Sequence, residues 1–281
     1  MNDFDPPRGI VQRTVAAALA EDQSILGDIT SLATVGPDVV AAGGVVSRAA
    51  GVVAGSLAAA ETFRQVDEGL RVDWQLGDGS SVSGGDCIAR VSGSLRSILA
   101  AERVALNLLT HCSGIATLTR RYVDEVDRVA ARTRVRDTRK TTPGLRALEK
   151  AAVRAGGGAN HRDSLSDAVL IKDNHLVAIE PAAAVRAARD RWPGRIVEIE
   201  CDTLESVSAV LAAEPDLILV DNMTPDEVAE AVATVAGKVA IEVSGEVTLD
   251  TVAAYAATGV EFVAVGALTH SAPILDIGLD L

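Results

Sequence analysis

The chain has 281 residues, 48% of them hydrophobic but only 2% aromatic, and a formal net charge of −13. That length buries either one large α/β domain or two ordinary ones, with cores packed mainly from Ala, Val and Leu. The acidic balance and scarce aromatics exclude a nucleic-acid binder, which needs a basic surface and stacking platforms. Cys87, Cys112 and Cys201 contain no CxxC pair, so they suggest neither a disulfide framework nor a zinc site and fit a reducing cytoplasm. The opening MNDFDPPRGI lacks a signal-like basic and apolar region, and no apolar run approaches ~18 residues. A soluble, untargeted protein is expected.

In chain order, Ile10, Val11, Val15, Ala18 and Leu19 recur at helical spacing and predict a first helix from Pro7 to about Ala20, broken by Gly27-Asp28-Ile29-Thr30-Ser31. From Val39 to Val91 the pattern changes to short β-like runs divided by glycine, with a helix over Ser56–Gln65 and a tight turn at Gly77-Asp78-Gly79. Helical spacing returns from Leu95 to Val126, where Ser113-Gly114 marks a break or a close packing contact. By spacing alone, Arg103 on that helix is an intrahelical or surface cation.

From Thr133 a repeating unit appears. Six apolar runs, 133–138, 168–173, 195–200, 217–222, 239–245 and 262–267, alternate with helical patterns. Such alternation means βαβ units on a parallel sheet. Thr203, Thr224 and Thr248 stand where N-caps are expected. In β/α barrels the active site gathers at the carboxyl ends of the strands. Here those ends hold Asp137/Thr138, Lys172, Glu200, Asp221, Ser244 and Gly266. By period two, Glu198 shares a face with Glu200, and Glu242 with Ser244, while Val197, Ile199, Ile241 and Val243 take the other. Carboxylates facing a lumen need partners, and Arg136 and Lys172 are the available ones.

Charge is concentrated at one place. Residues 132–175 hold ten Lys/Arg against five Asp/Glu, a local net of +5 that leaves −18 for the remainder. Arg146, Lys150 and Arg154 recur at i, i+4, i+8 and read as a solvated helix face. Arg139, Lys140, His161, Arg162 and Lys172 fall outside any such stripe, and arginine's planar fork suits carboxylate or phosphate. Glu200 and Asp221 are hard oxygen donors suited to Mg²⁺ or sugar hydroxyls. Amides at Ser244-Gly245 and Gly266-Ala267 can cradle a phosphate. Together these suggest a small acid and a phosphorylated sugar as substrates.

The segments DTRKTTPGLRALEK, GGGANHR, LIKDNH, VEIE, LVDNM and VGALTHS, with GDITS, ERVALN and SGIAT in the N-terminal half, resemble quinolinate phosphoribosyltransferase (nicotinate-nucleotide pyrophosphorylase, carboxylating) over nearly the whole chain. The resemblance implies an α/β fold: an N-terminal α/β sandwich domain, 1–112, whose helix 95–112 leads into an incomplete six-stranded parallel β/α barrel, 113–270, and a tail, 271–281, returning to the N-terminal domain. It implies decarboxylating transfer of a phosphoribosyl group from phosphoribosyl pyrophosphate to quinolinate, giving nicotinate mononucleotide, pyrophosphate and CO₂ in NAD biosynthesis. Arg103, Thr138, Arg139, Lys140, His161, Arg162 and Lys172 would bind quinolinate. Lys140, Glu200, Asp221, Ser244, Gly245, Glu246, Gly266 and Ala267 would bind phosphoribosyl pyrophosphate, with Glu200 and Asp221 holding Mg²⁺. Lys140, Lys172, Glu200 and Asp221 would carry the chemistry. Arg103 would reach the neighbouring site of a cytoplasmic homodimer, with a hexamer, a trimer of such dimers, left open.

Two positions depart from the family pattern. Asp163 follows Arg162 where an apolar residue is usual, and Glu246 follows Ser244-Gly245 where Gly or Asn is usual. A phosphoribosyltransferase-like paralogue associated with molybdenum uptake, a Schiff-base aldolase using Lys172, and a binding protein without turnover are the competing readings. The intact KTTPG and Lys172-Asp173-Asn174-His175 favour quinolinate.

Overall fold

The computed structural model describes residues 4–129 and 132–281; the first three residues of the expected 1–112 domain lie outside them. In chain order the elements are α1 (Arg8–Gln23), α2 (Ile29–Thr34), β1 (Val40–Ser47), β2 (Gly51–Val52), α3 (Ser56–Val66), β3 (Arg71–Trp74), β4 (Ser81–Val82), β5 (Cys87–Ser94) and α4 (Leu95–Asp127). There follow β6 (Arg134–Arg136), α5 (Arg146–Ala155), β7 (Val169–Ile171), α6 (Asp173–Leu176), α7 (Pro181–Arg191), β8 (Val197–Cys201) and α8 (Leu204–Val210). The rest are β9 (Leu217–Asp221), α9 (Pro225–Val235), β10 (Ala240–Ser244), α10 (Val252–Ala257), β11 (Phe262–Ala264), α11 (Ala267–His270) and β12 (Ile277–Asp280).

The chain divides into two compact units that do not follow linear boundaries. One comprises residues 1–120, 141–157 and 267–281; the other comprises 121–140 and 158–266. The helix α5, expected within the barrel segment, therefore groups with the first unit.

In the first unit a four-stranded antiparallel sheet runs β12-β1-β5-β3. The C-terminal strand closes it, with Val46 opposite Gly278 and Ser47 opposite Ile277. Val45, Phe63, Ile88, Val91, Ile98, Leu109 and Ile277 form its core; each contributes roughly 1.5–3 kcal/mol of burial. The helix α4 runs unbroken through Ser113-Gly114, so the packing alternative is the one realised: a Cβ on Gly114 would lie 2.0 Å from the Pro273 carbonyl oxygen. The predicted break after α1 holds a further short helix, α2, whose N-cap Asp28 accepts from the amides of Thr30 and Ser31. Thr203 and Thr224 cap α8 and α9 as expected, whereas α10 starts three residues later than a Thr248 cap requires, after Thr251.

The solvated-face reading of α5 fails. Lys150 is 2% exposed and its neighbour Glu149 is fully buried. Glu149 takes the amide of Thr142 at 3.0 Å and the ring of His111 at 2.9 Å. Tertiary partners, which spacing does not encode, decide which face of a short helix is wet.

In the second unit six parallel strands run β6-β11-β10-β9-β8-β7, leaving β6 and β7 as the two edges of an incomplete barrel. All six coincide with the apolar runs read from the sequence. Val197, Ile199, Ile241 and Val243 are buried on one face, as period two requires. The other face carries Glu198, Glu200, Glu242 and Ser244.

Candidate active site

The carboxyl ends of these strands surround a cavity of about 400 Å³. Thr138, Arg139, Lys140, His161, Arg162, Lys172, Asp221 and Ser244 line it, with Leu170, Leu219, Glu242 and Ala264 as its floor. The floor follows from the strand pleat. Leu170, Leu219, Glu242 and Ala264 each lie two residues before a strand-end residue, Lys172, Asp221, Ser244 and Gly266, and so share its face. Stepping back two from each strand end finds these four residues in the sequence alone.

Glu200 reaches the cavity through Lys172, with which it forms an ion pair between adjacent strands. Lys172 itself is held by its motif: its amide donates to Nδ1 of His175 at 2.9 Å, tying IKDNH into the turn α6. The Gly245, Glu246 and Gly266 positions follow these strand ends but are not among the cavity's lining residues. Arg103 and Ala267 belong to the first unit, Arg103 exposed on α4 and Ala267 opening α11. Glu246 and Asp163, the two departures, are both exposed, and the Asp163 amide donates to Asp167 in its own loop.

The GGGANHR loop is fastened by a residue whose role the sequence did not reveal. Asp137, fully buried, accepts from the Asn160 side chain at 2.5 Å and from the His161 amide at 2.8 Å. On the same loop Arg162 donates to the Ala168 carbonyl at 3.0 Å. Burial first, and the neighbouring Arg139 cation second, lower its pKa from the ordinary arginine value. A site that crowds two guanidiniums in this way is set for an anion.

Below the cavity the lumen carboxylates find the expected partners. Arg136 donates to Glu242 Oε2 at 2.5 Å. Nε2 of His161 lies 2.8 Å from Glu198 Oε2 and 3.5 Å from Glu242 Oε1. His161, Glu198 and Glu242 bring one nitrogen and two carboxylates within 4.8 Å, a donor set that resembles a metal site. The ring's other nitrogen argues against one. The Arg162 amide, which can only donate, points at Nδ1 from 2.8 Å. Nδ1 must accept, so the neutral ring carries its proton on Nε2 and has no lone pair there for a metal. Both ring nitrogens of His161, itself a lining residue of the cavity, face protein partners: Nδ1 the Arg162 amide, Nε2 the two carboxylates.

The phosphate-cradle segments are dovetailed. Asn222, at φ 58°, donates its amide to the Ser244 carbonyl at 3.0 Å, and Gly245 follows at φ 96°. Glycine adopts this conformation freely, whereas Asn222, a non-glycine residue held in the left-handed region, carries backbone strain of the kind found at functional sites.

Residues 28–113 match the family description Quinolinate phosphoribosyl transferase, N-terminal domain, and residues 115–280 its C-terminal domain. The chain belongs to the quinolinate phosphoribosyltransferase family. A family relative named nicotinate-nucleotide pyrophosphorylase [carboxylating], from Mycobacterium leprae, is 46% identical, covering 99% of this chain and 98% of the relative. Another, from Nicotiana glauca, named quinolinate phosphoribosyltransferase [decarboxylating] 2, is 37% identical over 96% of this chain and 82% of its own length. Among solved structures of the family, the nicotinate-nucleotide pyrophosphorylase of Francisella tularensis superposes with a TM-score of 0.93 at 37% identity, covering 100% of this chain and 99% of that one.

Proposed function

We propose that this chain transfers the phosphoribosyl group of phosphoribosyl pyrophosphate to quinolinate with loss of CO₂, forming nicotinate mononucleotide in NAD biosynthesis. The carrying observation is the single cavity in which Arg139, Arg162 and Lys172 face Asp221 and Ser244. Cations on one side suit the two quinolinate carboxylates; acid and hydroxyl on the other suit a ribose and its phosphate. The backbone amides that follow β10, at Ser244-Gly245-Glu246, and that of Gly266 after β11 take the 5′-phosphate.

The pyridine nitrogen attacks the sugar's C1 with its lone pair, and the C1–O bond breaks, its electrons leaving with pyrophosphate. Binding both reactants in one cavity supplies the alignment, and Lys140 offsets charge on the leaving group. The quaternised ring then accepts the electrons of the C–C bond as CO₂ departs. Lys172 stands ready to steady or protonate the resulting carbanion.

Glu200 and Asp221, oxygen donors on neighbouring strands, fit Mg²⁺, which when bound would neutralise pyrophosphate charge. Their donor chemistry suits a hard ion, whereas the buried His161 cluster, by its tautomer, does not. We place the active unit as a cytoplasmic homodimer in which the partner subunit's Arg103 completes the quinolinate subsite. Among the described residues no helix is long and apolar enough to cross a membrane.

The deciding assay is CO₂ release from carboxyl-labelled quinolinate. Release that requires phosphoribosyl pyrophosphate and Mg²⁺, with nicotinate inert in parallel, is expected. Consumption of nicotinate, or borohydride trapping of a substrate on Lys172, would replace the reading.

A further inference from the structure

We propose that Glu198, through His161, is a positioning residue for the quinolinate subsite: it accepts the Nε2 proton and locks the imidazole as a neutral, immobile wall of the cavity. The inference rests on the quinolinate reading of the cavity for its kinetic consequence, but not for its geometry.

Hydrogen bonds hold both the ring and its backbone. The His161 main-chain amide donates to Asp137 Oδ1 at 2.8 Å, placing the backbone. The Arg162 amide donates to Nδ1 at 2.8 Å, and Nε2 donates to Glu198 Oε2 at 2.8 Å. With an obligate donor on one nitrogen and an acceptor on the other, the tautomer and the ring plane are both determined. An imidazolium would set N–H against N–H at Nδ1. The His161 side chain is 9% exposed and Glu198 only 2%, so water offers little competition for either bond.

The carboxylate is itself anchored by its place in the sheet. Glu198 is the second residue of β8, flanked by paired strands, with Leu170 and Leu217 opposite it on β7 and β9, so its backbone cannot drift. Its carboxylate also raises the proton affinity of Glu242, whose remaining partners are Arg136 and His161. The network therefore runs Arg136, Glu242, His161, Glu198 beneath the cavity, and His161 is its one member aligned in sequence with Arg162.

The consequence concerns charge as well as shape. Arg139, Arg162 and Lys172 already supply the cations for a dianion. A neutral His161 adds none, but its ring is continuous in sequence with Arg162, whose amide it grips. Loosening the ring loosens the start of the Arg162 loop. Misplacement by about 1 Å in such a site costs up to ~100-fold.

The test uses the full-length protein labelled with ¹⁵N-histidine. It has four histidines, and a H161F variant identifies the signals of His161 in a long-range ¹H–¹⁵N spectrum at pH 7. The expected pattern is protonated Nε2 with unprotonated Nδ1 in the wild type and in E198Q, whose amide oxygen still accepts. E198L, which removes the Nε2 acceptor while the Arg162 amide still faces Nδ1, is expected to shift the Nε2–H signal and speed its exchange with water, and to give a quinolinate KM about tenfold higher, with kcat and the KM for phosphoribosyl pyrophosphate within about twofold and E198Q near wild type. A wild-type ring protonated on Nδ1 or on both nitrogens overturns the proposal even if E198L fails to fold. So does a folded E198L that loses the Nε2 hydrogen bond yet keeps its quinolinate KM. If the wild-type tautomer is as expected but quinolinate is not turned over, the functional reading fails while the tautomer lock stands, and the kinetic half of the proposal is overturned with the reading.

Discussion

Lys172 at the end of β7 and Glu200 at the end of β8 form an ion pair side by side at the cavity mouth, their side chains 43% and 13% exposed. Each is expected to serve a different substrate, so in the free protein the two subsites hold each other's charge. Removing Lys172 takes a cation from the quinolinate side and leaves Glu200 uncompensated beside it. We expect K172A to raise the quinolinate KM by ~10- to 100-fold, corresponding to roughly 1.4–2.7 kcal/mol for a truncated charged partner. K172R restores little, because a planar fork does not replace a point charge at that strand end. E200Q should act in the other direction, releasing Lys172 and weakening phosphoribosyl pyrophosphate binding instead. Steady-state kinetics with each substrate varied would decide it; a quinolinate KM raised equally by K172A and E200Q would refute the division of labour.

The phosphate-cradle loop gives a steric prediction. A Cβ on Gly245 would sit 2.3 Å from Asn222 Oδ1 and 2.6 Å from the Asn222 amide nitrogen, with the backbone at φ 96°. Alanine there must push apart two interlocked strand ends, at a cost of about 1–3 kcal/mol. Gly237 is the control: it also has positive φ, at 71°, yet nothing lies within 4 Å of its Cβ position. G245A should lower the melting temperature by several degrees and raise the phosphoribosyl pyrophosphate KM, while G237A shows only the smaller conformational penalty and normal kinetics. Equal effects of the two would mean that close approach to Asn222 is not what demands glycine.

Much of this arrangement is legible in the sequence. The six parallel strands announce themselves as apolar runs, and period two separates Glu198, Glu200 and Glu242 from the buried Val197, Ile199 and Ile241. Arg139, Arg162 and Lys172 stand out because they interrupt regular patterns. What stayed hidden depends on partners distant in sequence. Lys150 and Glu149 have helical spacing that reads as wet, yet both are buried, Glu149 against the His111 ring and the Thr142 amide. Asp137 reads as one more strand-end acid until Asn160 and His161 are seen folding back onto it. The occupation of both ring nitrogens of His161 depends on the direction of one amide, which no residue pattern encodes.

The buried acid Glu242 makes stability depend on pH. Burial first, and the charge of Glu198 second, push its carboxyl up from 4.5 to about 7, against the opposing pull of Arg136. The folded protein therefore holds a proton there that the unfolded chain releases near 4.5. Stability from this group is fully present below that value and is lost as pH rises through about 7. At about 1.4 kcal/mol per pKa unit the difference is on the order of 3 kcal/mol. E242Q keeps an uncharged side chain of the same shape at every pH, and Arg136 then faces an amide as it faces a carboxylic acid in acidic wild type. Urea melts at pH 5 and pH 8 should show the variant close to wild type at the lower pH and more stable than wild type at the higher. Parallel stability profiles would mean that Glu242 is ionised throughout this range and that Arg136 compensates its burial completely.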